Sequence, residues 1–250
     1  MPSRLVLWAL AVAALGAVAP AHAGQTNVAV AANFIDAAKE IAQAFSEKTG
    51  DEAVLSFRST GQLYTQISQG APFEVFLAAD DERPRKAIAD GLAVPGSAFT
   101  YATGRIVLWS KDPQLVQGAA TLERGRFEKI AIANPVGAPY GAAAVQAMRA
   151  LGVYDRLEAK LVQGNNIAQT YQFVDTGNAE LGFVALSQVA ATTEGSRWIV
   201  PGDLYEPIRQ DAVLLENGAG SAAARAFLEF LKGSEAAKIM ARYGYGTGVS

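Results

Sequence analysis

Residues Asn27–Glu40 read NVAVAANFIDAAKE. The first half is an uninterrupted apolar run of strand character. From Phe34 onward, Phe34, Ala38, Ile41, Ala42 and Phe45 recur at three- and four-residue steps until Gly50, as on the buried face of a helix. A strand that passes straight into a helix is the opening of a βα unit, and the polar residue at the change, Asn33, is of a type suited to capping a helix start. The same alternation continues: AVLSF then GQLYTQISQGAP, FEVFLAA, and after Tyr101 a second series with GRIVLWS, KIAIAN, GAAAVQAMRALGVYDRL broken at Gly152, and NNIAQTYQFVDTGNAELGFVAL. EPIRQDAVLL leads to a last helix expected over Ala222 to Tyr243. Strands separated by such helices imply right-handed crossovers and mostly parallel sheets covered on both faces. Two runs of the pattern predict two α/β lobes with a ligand crevice at the carboxyl ends of the strands.

The chain has 250 residues, 50% hydrophobic and 18% charged, the composition of a folded globular protein. Its start, with Arg4, an apolar run from Leu5 to about Val18 and the small-x-small sequence Ala21-His22-Ala23, reads as a secretory signal peptide over residues 1–23. The apolar run is shorter than the roughly 20 residues of a spanning helix, so a chain released after Ala23, with no membrane span once processed, is expected. No cysteine is present, so neither a disulfide nor a lipid-modified cysteine can hold it.

The sole histidine, His22, falls in the signal segment. A mature chain without His or Cys excludes Ser-His-Asp and Cys-His nucleophilic sites and any zinc site that needs imidazole or thiolate. Without Arg4, 20 basic residues stand against 24 acidic ones, about −4 in all, which leaves no basic footprint for nucleic acid.

Four strand-to-helix junctions share one character: Ala32-Asn33-Phe34, Ser59-Thr60-Gly61, NPVGAPYG around Tyr140, and GNNIAQ around Ile167. Each sets small, hydroxyl or amide residues where the N–H groups of a first turn lack internal partners, and so each is a candidate oxyanion donor. Neutral donors and helix dipoles suit a doubly charged tetrahedral anion because they do not titrate. The acidic run Asp80-Asp81-Glu82 carries a rival reading, as hard ligands for Ca²⁺ or Mg²⁺ or as the acid and base of a secreted hydrolase. Adjacent carboxylates also favour a solvated helix start. Phe73, Phe76, Phe99 and Tyr101 lie in strand-like context and are expected in the core.

Several of these stretches, VAVAANF, STGQLYTQISQGAPFEVFLAADDERP, GLAVPGSAFTYATGRIVLWS, IAIANPVGAPYG, ELGFVALSQV and YEPIRQDAVLL, together resemble the periplasmic molybdate-binding proteins of molybdate ABC transporters, from about residue 26 to the C-terminus. The likeness is to the branch with Asn at the first junction. It implies the type II periplasmic binding protein fold, two α/β lobes joined by a two-segment hinge with the ligand cleft between them. It further implies lobe I over 24–102 plus 213–250 and lobe II over 103–212.

The resemblance also implies a site. Ala32 and Asn33 would contact the anion from the first junction and the Thr60 hydroxyl from the second, with Ser59 a neighbouring possibility. Tyr140 and Ile167 would donate mainly through backbone N–H groups. Asn33 is expected to aim its side-chain nitrogen into the cleft. The protein would be a non-enzymatic, monomeric receptor in the periplasm that binds molybdate or tungstate and delivers it to an inner-membrane ABC permease. It would use no cofactor and hold molybdenum only as the oxyanion; another oxyanion such as sulfate is the alternative. Two positions depart from the family pattern: Thr60 stands where Ser is usual, and Ala185 where the Ser branch has an anion-binding Tyr.

Overall fold

The computed structural model describes residues 24–247, and the signal segment read from the sequence lies outside them. The chain forms two mixed sheets. The first has strands in the order β11-β4-β10-β3-β1-β2, with β1 Gln25–Ala31, β2 Glu52–Arg58, β3 Val75–Leu77, β4 Phe99–Gly104, β10 Ile208–Leu214 and β11 Gly246–Thr247. The second has the order β7-β6-β8-β5-β9, with β5 Ile106–Ser110, β6 Ile130–Ala133, β7 Leu161–Gly164, β8 Leu181–Ala185 and β9 Ser196–Ile199. The helices are α1 Ile35–Thr49, α2 Thr60–Ser68, α3 Glu82–Ala89, α4 Ala120–Arg124, α5 Pro139–Ala150, α6 Tyr154–Leu157, α7 Ile167–Asp175, α8 Leu186–Val189, α9 Ala222–Lys232 and α10 Ser234–Arg242.

Period-two alternation places the two sides of β1 in different cores. Val28 and Val30 pack with α1 and α9 through Phe45, Ala224 and Phe227, whereas Ala29 packs with Leu63 and Ile67 of α2. A strand buried on both faces has no polar face to show, which is why VAVAA reads as a continuous apolar run. Phe45 meets Phe227 and Phe230 edge-on at centroid separations of 5.3 and 5.7 Å, and burial of each such ring is worth about 1.5–3 kcal/mol. In the second sheet the side carrying Ile106, Leu108, Ile130 and Ile132 packs against α5, and the side carrying Val107, Trp109 and Ala131 packs against Val174 of α7 and Val189 of α8.

The chain passes between the sheets at Arg105, which separates β4 from β5, and again between β9 and β10. GRIVLWS, expected as one strand, is therefore broken: Gly104 ends a strand of the first sheet and Ile106 opens one of the second. Pairing is parallel for β1 with β2 and β3, and for β6 with β7 and β8. It is antiparallel wherever the crossing strands β4, β5 and β10 are involved. The expectation of mostly parallel sheets holds for the βα units alone, since a chain that leaves one lobe and returns must reverse direction.

Gly50 ends α1 at a φ of 79°, in the left-handed region, and its N–H bonds to the Ser46 carbonyl. The last helix is two: Gly233, at φ −76° and ψ 161°, is extended, ending α9 and opening α10. Of the four aromatics expected in the core, Phe76 and Tyr101 are buried, and Phe73 and Phe99 pack against it half-buried.

Candidate functional site

All four junctions meet. Ala31, Ala32, Asn33, Ser59, Thr60 and Ala79 from the first lobe, and Ala138, Pro139, Tyr140 and Ile167 from the second, line one cavity of ≈ 10 Å³. Every residue singled out in the sequence as an anion contact lies on its wall, and Asn33, Ser59, Thr60, Tyr140 and Ile167 are all buried.

The local chemistry explains why donors face inward. Ser59 caps α2 with a reciprocal pair of bonds: Gln62 N–H to Ser59 Oγ at 3.4 Å and Ser59 N–H to Gln62 Oε1 at 3.2 Å. The Thr60 hydroxyl oxygen accepts the Ala79 N–H at 3.0 Å, which fixes its rotamer and leaves its proton to be given away. α5 begins with Pro139, which has no N–H, so Tyr140 carries the first main-chain donor of that helix. In α7 the Asn166 side chain caps the Gln169 N–H at 2.9 Å, leaving the Ile167 N–H, first in its helix, without an internal partner. The first junction is a tight turn, Ala32–Phe34, entered directly from β1 with no side-chain cap.

Asn33 departs from expectation. It is no cap, because it sits inside the turn rather than ahead of it. Nor does its side-chain nitrogen aim into the cleft: Nδ2 donates to Gln210 Oε1 at 2.8 Å, Tyr245 Oη at 3.2 Å and Tyr140 Oη at 3.3 Å. Two N–H groups shared among three protein acceptors leave none for a solute. What Asn33 offers the cavity is its backbone.

The walls are neutral. Tyr140 is the one titratable group lining the cavity, and burial, followed by the nearby Tyr245 and Tyr101, pushes its hydroxyl well above the usual phenol value. Tyr101 and Tyr245 are pushed up in the same direction, again chiefly by burial. All three remain protonated donors or acceptors at any physiological pH.

The lobes touch across the cavity. Gly61 N–H bonds to the Gly137 carbonyl at 2.9 Å, Ser187 Oγ to the Asn33 carbonyl at 2.8 Å, and Arg83 Nη2 to the Val136 carbonyl at 3.0 Å. A Cβ on Gly61 would lie 3.0 Å from Gly137 Cα, so this backbone approach needs glycine.

Asp80, Asp81 and Glu82 do not form a metal centre; among the described residues no group of three or more His, Cys, Asp or Glu side chains could hold a metal ion. Asp80 pairs with Arg83 and also accepts its N–H at 3.0 Å, Asp81 pairs with Arg85 at 2.9 Å, and Glu82 opens α3. Ala185, at the end of β8, is buried in the core of the second lobe. Gln210 and Tyr245, central to the polar contacts behind the cavity, were not singled out in the sequence. Gln210 is a fully buried amide in a strand, a pattern that only the sheet assignment reveals.

The chain matches the bacterial extracellular solute-binding protein family over residues 26–246. It is 56% identical to the molybdate-binding protein ModA of Rhodobacter capsulatus over 233 residues, 93% of this chain and 92% of that protein. The structure is similar to the periplasmic molybdate-binding protein of Azotobacter vinelandii, with a TM-score of 0.86 and 41% identity over 88% of this chain and 98% of that one. It also shares its fold, at 12% identity and a TM-score of 0.73, with the sulfate-binding protein SubI from Mycobacterium tuberculosis H37Rv, over 90% of this chain and 87% of that one. Two α/β lobes, four helix or turn starts on one neutral cavity, and identity above one half over nearly the whole chain agree: this protein belongs to the bacterial extracellular solute-binding proteins, in the group formed by the molybdate-binding proteins.

Proposed function

We propose that the chain is exported, is cut near Ala23, and captures molybdate or tungstate in the cavity between its lobes. It hands the anion to an inner-membrane ABC permease. The observation that carries this reading is the convergence of four neutral helix or turn starts on one small cavity, together with the identity to molybdate-binding relatives. Ala32 and Asn33 would donate backbone N–H groups, Thr60 its hydroxyl and N–H, and Tyr140 and Ile167 their backbone N–H groups, with the Ser59 hydroxyl beside them. A cavity with no basic side chain holds the anion by hydrogen bonds alone and does not lose its donors as pH changes. No bond is made or broken, so no residue is assigned a catalytic role and no cofactor is needed.

In this reading lobe I comprises 24–102 plus 213–250 and lobe II 103–212, the bounds falling within β4 and β10, the first-sheet strands that adjoin the two crossings. The receptor works as a monomer in the periplasm, since the four junctions of a single chain complete the site. Discrimination from sulfate rests on the size of the cavity, because the charge and tetrahedral shape of the two anions are the same.

Isothermal titration calorimetry of unfolded and refolded mature chain with molybdate, tungstate and sulfate is the test. Molybdate and tungstate should bind at one per chain with sulfate far weaker. Absence of heat with molybdate alongside binding of sulfate, phosphate or an organic solute would overturn the assignment.

A further inference from the structure

Behind the cavity, five side chains form a buried polar network with no ionised member. Asn33 Nδ2 donates to Gln210 Oε1, Tyr245 Oη and Tyr140 Oη. Gln210 Nε2 donates to Tyr140 Oη at 3.0 Å, Tyr101 Oη to Gln210 Oε1 at 3.1 Å, and Tyr245 Oη to the Asn33 carbonyl at 2.6 Å. Asn33, Tyr101, Gln210 and Tyr245 sit on or beside the first sheet. Tyr140 alone comes from a helix packed on the second sheet, from the first turn of α5.

The position of its hydroxyl is unusual. Gly104 ends β4, where the chain crosses between lobes, and pairs with Ile208 at the start of the returning strand β10. A Cβ on Gly104 would lie 2.1 Å from Tyr140 Oη and 2.6 Å from Gln210 Nε2. The Tyr140 hydroxyl therefore fills the space of a missing side chain on one hinge strand and accepts a hydrogen bond from the other. Tyr140, whose N–H is the first main-chain donor of α5, also lines the anion cavity, as does Asn33, its partner beside the first sheet.

We propose that Tyr140 is the positioning residue that couples anion capture to hinge closure: its backbone faces the anion while its hydroxyl, seated at Gly104 and bonded to Asn33 and Gln210, locks the second lobe onto the first. This rests on the cavity being the anion site. Swinging the lobes apart withdraws the hydroxyl, breaks both bonds and leaves two amide donors in the cleft for water, so the network opposes opening and sets the release rate more than the capture rate. Nothing ionises in the cycle.

The test uses Tyr140→Phe, which keeps the ring and the backbone N–H, and Gly104→Ala, which evicts the hydroxyl without deleting it. Both are compared with the parent chain by calorimetry, stopped-flow molybdate release followed by tryptophan fluorescence, and small-angle scattering with and without molybdate. Tyr140→Phe should release molybdate at least tenfold faster, with association changed less than threefold. Its scattering should show a smaller compaction at equal occupancy, and its ligand-free melting temperature should stay within about 2 °C of the parent. Gly104→Ala, whose Cβ would also meet Gln210 Nε2 at 2.6 Å and Tyr140 Cζ at 2.8 Å, should release molybdate at least as fast as Tyr140→Phe. Release and compaction unchanged in both variants would overturn the coupling, as would a stability loss of equal size with and without molybdate, the mark of a packing role alone. A parent chain that binds no molybdate would instead defeat the functional assignment on which the coupling rests.

Discussion

Two hollows lie side by side at the interface of the lobes, sharing Ala79 and Pro139 on their walls, and their chemistry is opposite. The inner one, ≈ 10 Å³, is lined by small residues, hydroxyls and main-chain donors at helix starts. The outer groove, ≈ 360 Å³, carries Asp80, Asp81, Glu82, Arg83, Glu206 and Arg209 together with Val136, which is 82% exposed. Charge is thus abundant one residue away from the site proposed for a dianion and is kept out of it. Charges in the open groove are spent on one another, as in the Asp80–Arg83 and Asp81–Arg85 pairs. Fixed dipoles on buried residues act through a lower local dielectric than the groove charges, and they discriminate by shape and size because they cannot rearrange.

The comparison breaks most directly at Ile167. Pro is tolerated as the first residue of a helix, and Asn166 before it is already extended, at φ −155° and ψ 174°. Ile167→Pro therefore deletes a main-chain donor at a position where α7 accepts proline, and Ile167→Ala, which trims the same buried side chain but keeps the N–H, is the control for lost packing. Loss of one hydrogen bond to a charged group, about 1.5–3 kcal/mol, predicts a molybdate Kd raised roughly 10- to 150-fold by calorimetry. A Kd within twofold of the parent would remove α7 from the site.

Thr60→Val should weaken binding about tenfold and also lower the melting temperature, because the Ala79 N–H loses its acceptor. Arg83→Ala, in the groove, should change Kd less than fivefold although it severs the Val136 contact, since Arg83 does not line the anion cavity and the bond it makes across the lobes is a single one to a neutral carbonyl. A larger effect would mean that the groove shares in holding the cleft shut.

The two hollows should also answer differently to pH. Burial raises the Asp80 carboxyl above its ordinary value of 3.8, and the hydrogen bonds and charge of Arg83 only partly offset this. A carboxyl raised on folding favours the folded state below its unfolded pKa, and that advantage is lost as pH rises through the folded one. Asp80→Asn cannot titrate, so its melting temperature relative to the parent should climb as pH rises from about 3.5 through the acid range and then level off. Molybdate affinity at pH 6 to 9 should stay flat in the parent, since the tyrosines behind the cavity do not ionise there. The smallest expected effect is that of EDTA, which should leave both affinity and melting temperature unchanged.

Much of the fold was legible because its strands are short, apolar and separated by helices with clear stop signals such as Gly50 and Gly70. What misled was local pattern without partners. Around Phe99 and Tyr101 the sequence read only as strand-like context and β4 was not marked off as a strand, because FTYATG mixes polar and apolar residues for a position between two neighbouring strands, β10 and β11. Gly233 was read through as helix, since one glycine in an amphipathic run does not announce an extended residue. At the site, the cavity-lining residues were visible as helix-start chemistry, but the direction of a side chain was not: Asn33 lies on the wall as expected, with its amide turned toward Gln210 and the tyrosines.

The sequence by itself determined the two α/β runs, the absence of His and Cys from residues 24–250, and four donor-rich junctions, because these depend on periodicity and on residue type, which are local. Only the tertiary structure decided that the four junctions face one cavity, that the acidic run pairs with its own arginines, and that Gly104 leaves a place for the hydroxyl of Tyr140. Those facts depend on where a chain that crosses twice between sheets brings residues more than a hundred positions apart, as Asn33 and Tyr140 are, and no local pattern carries that distance.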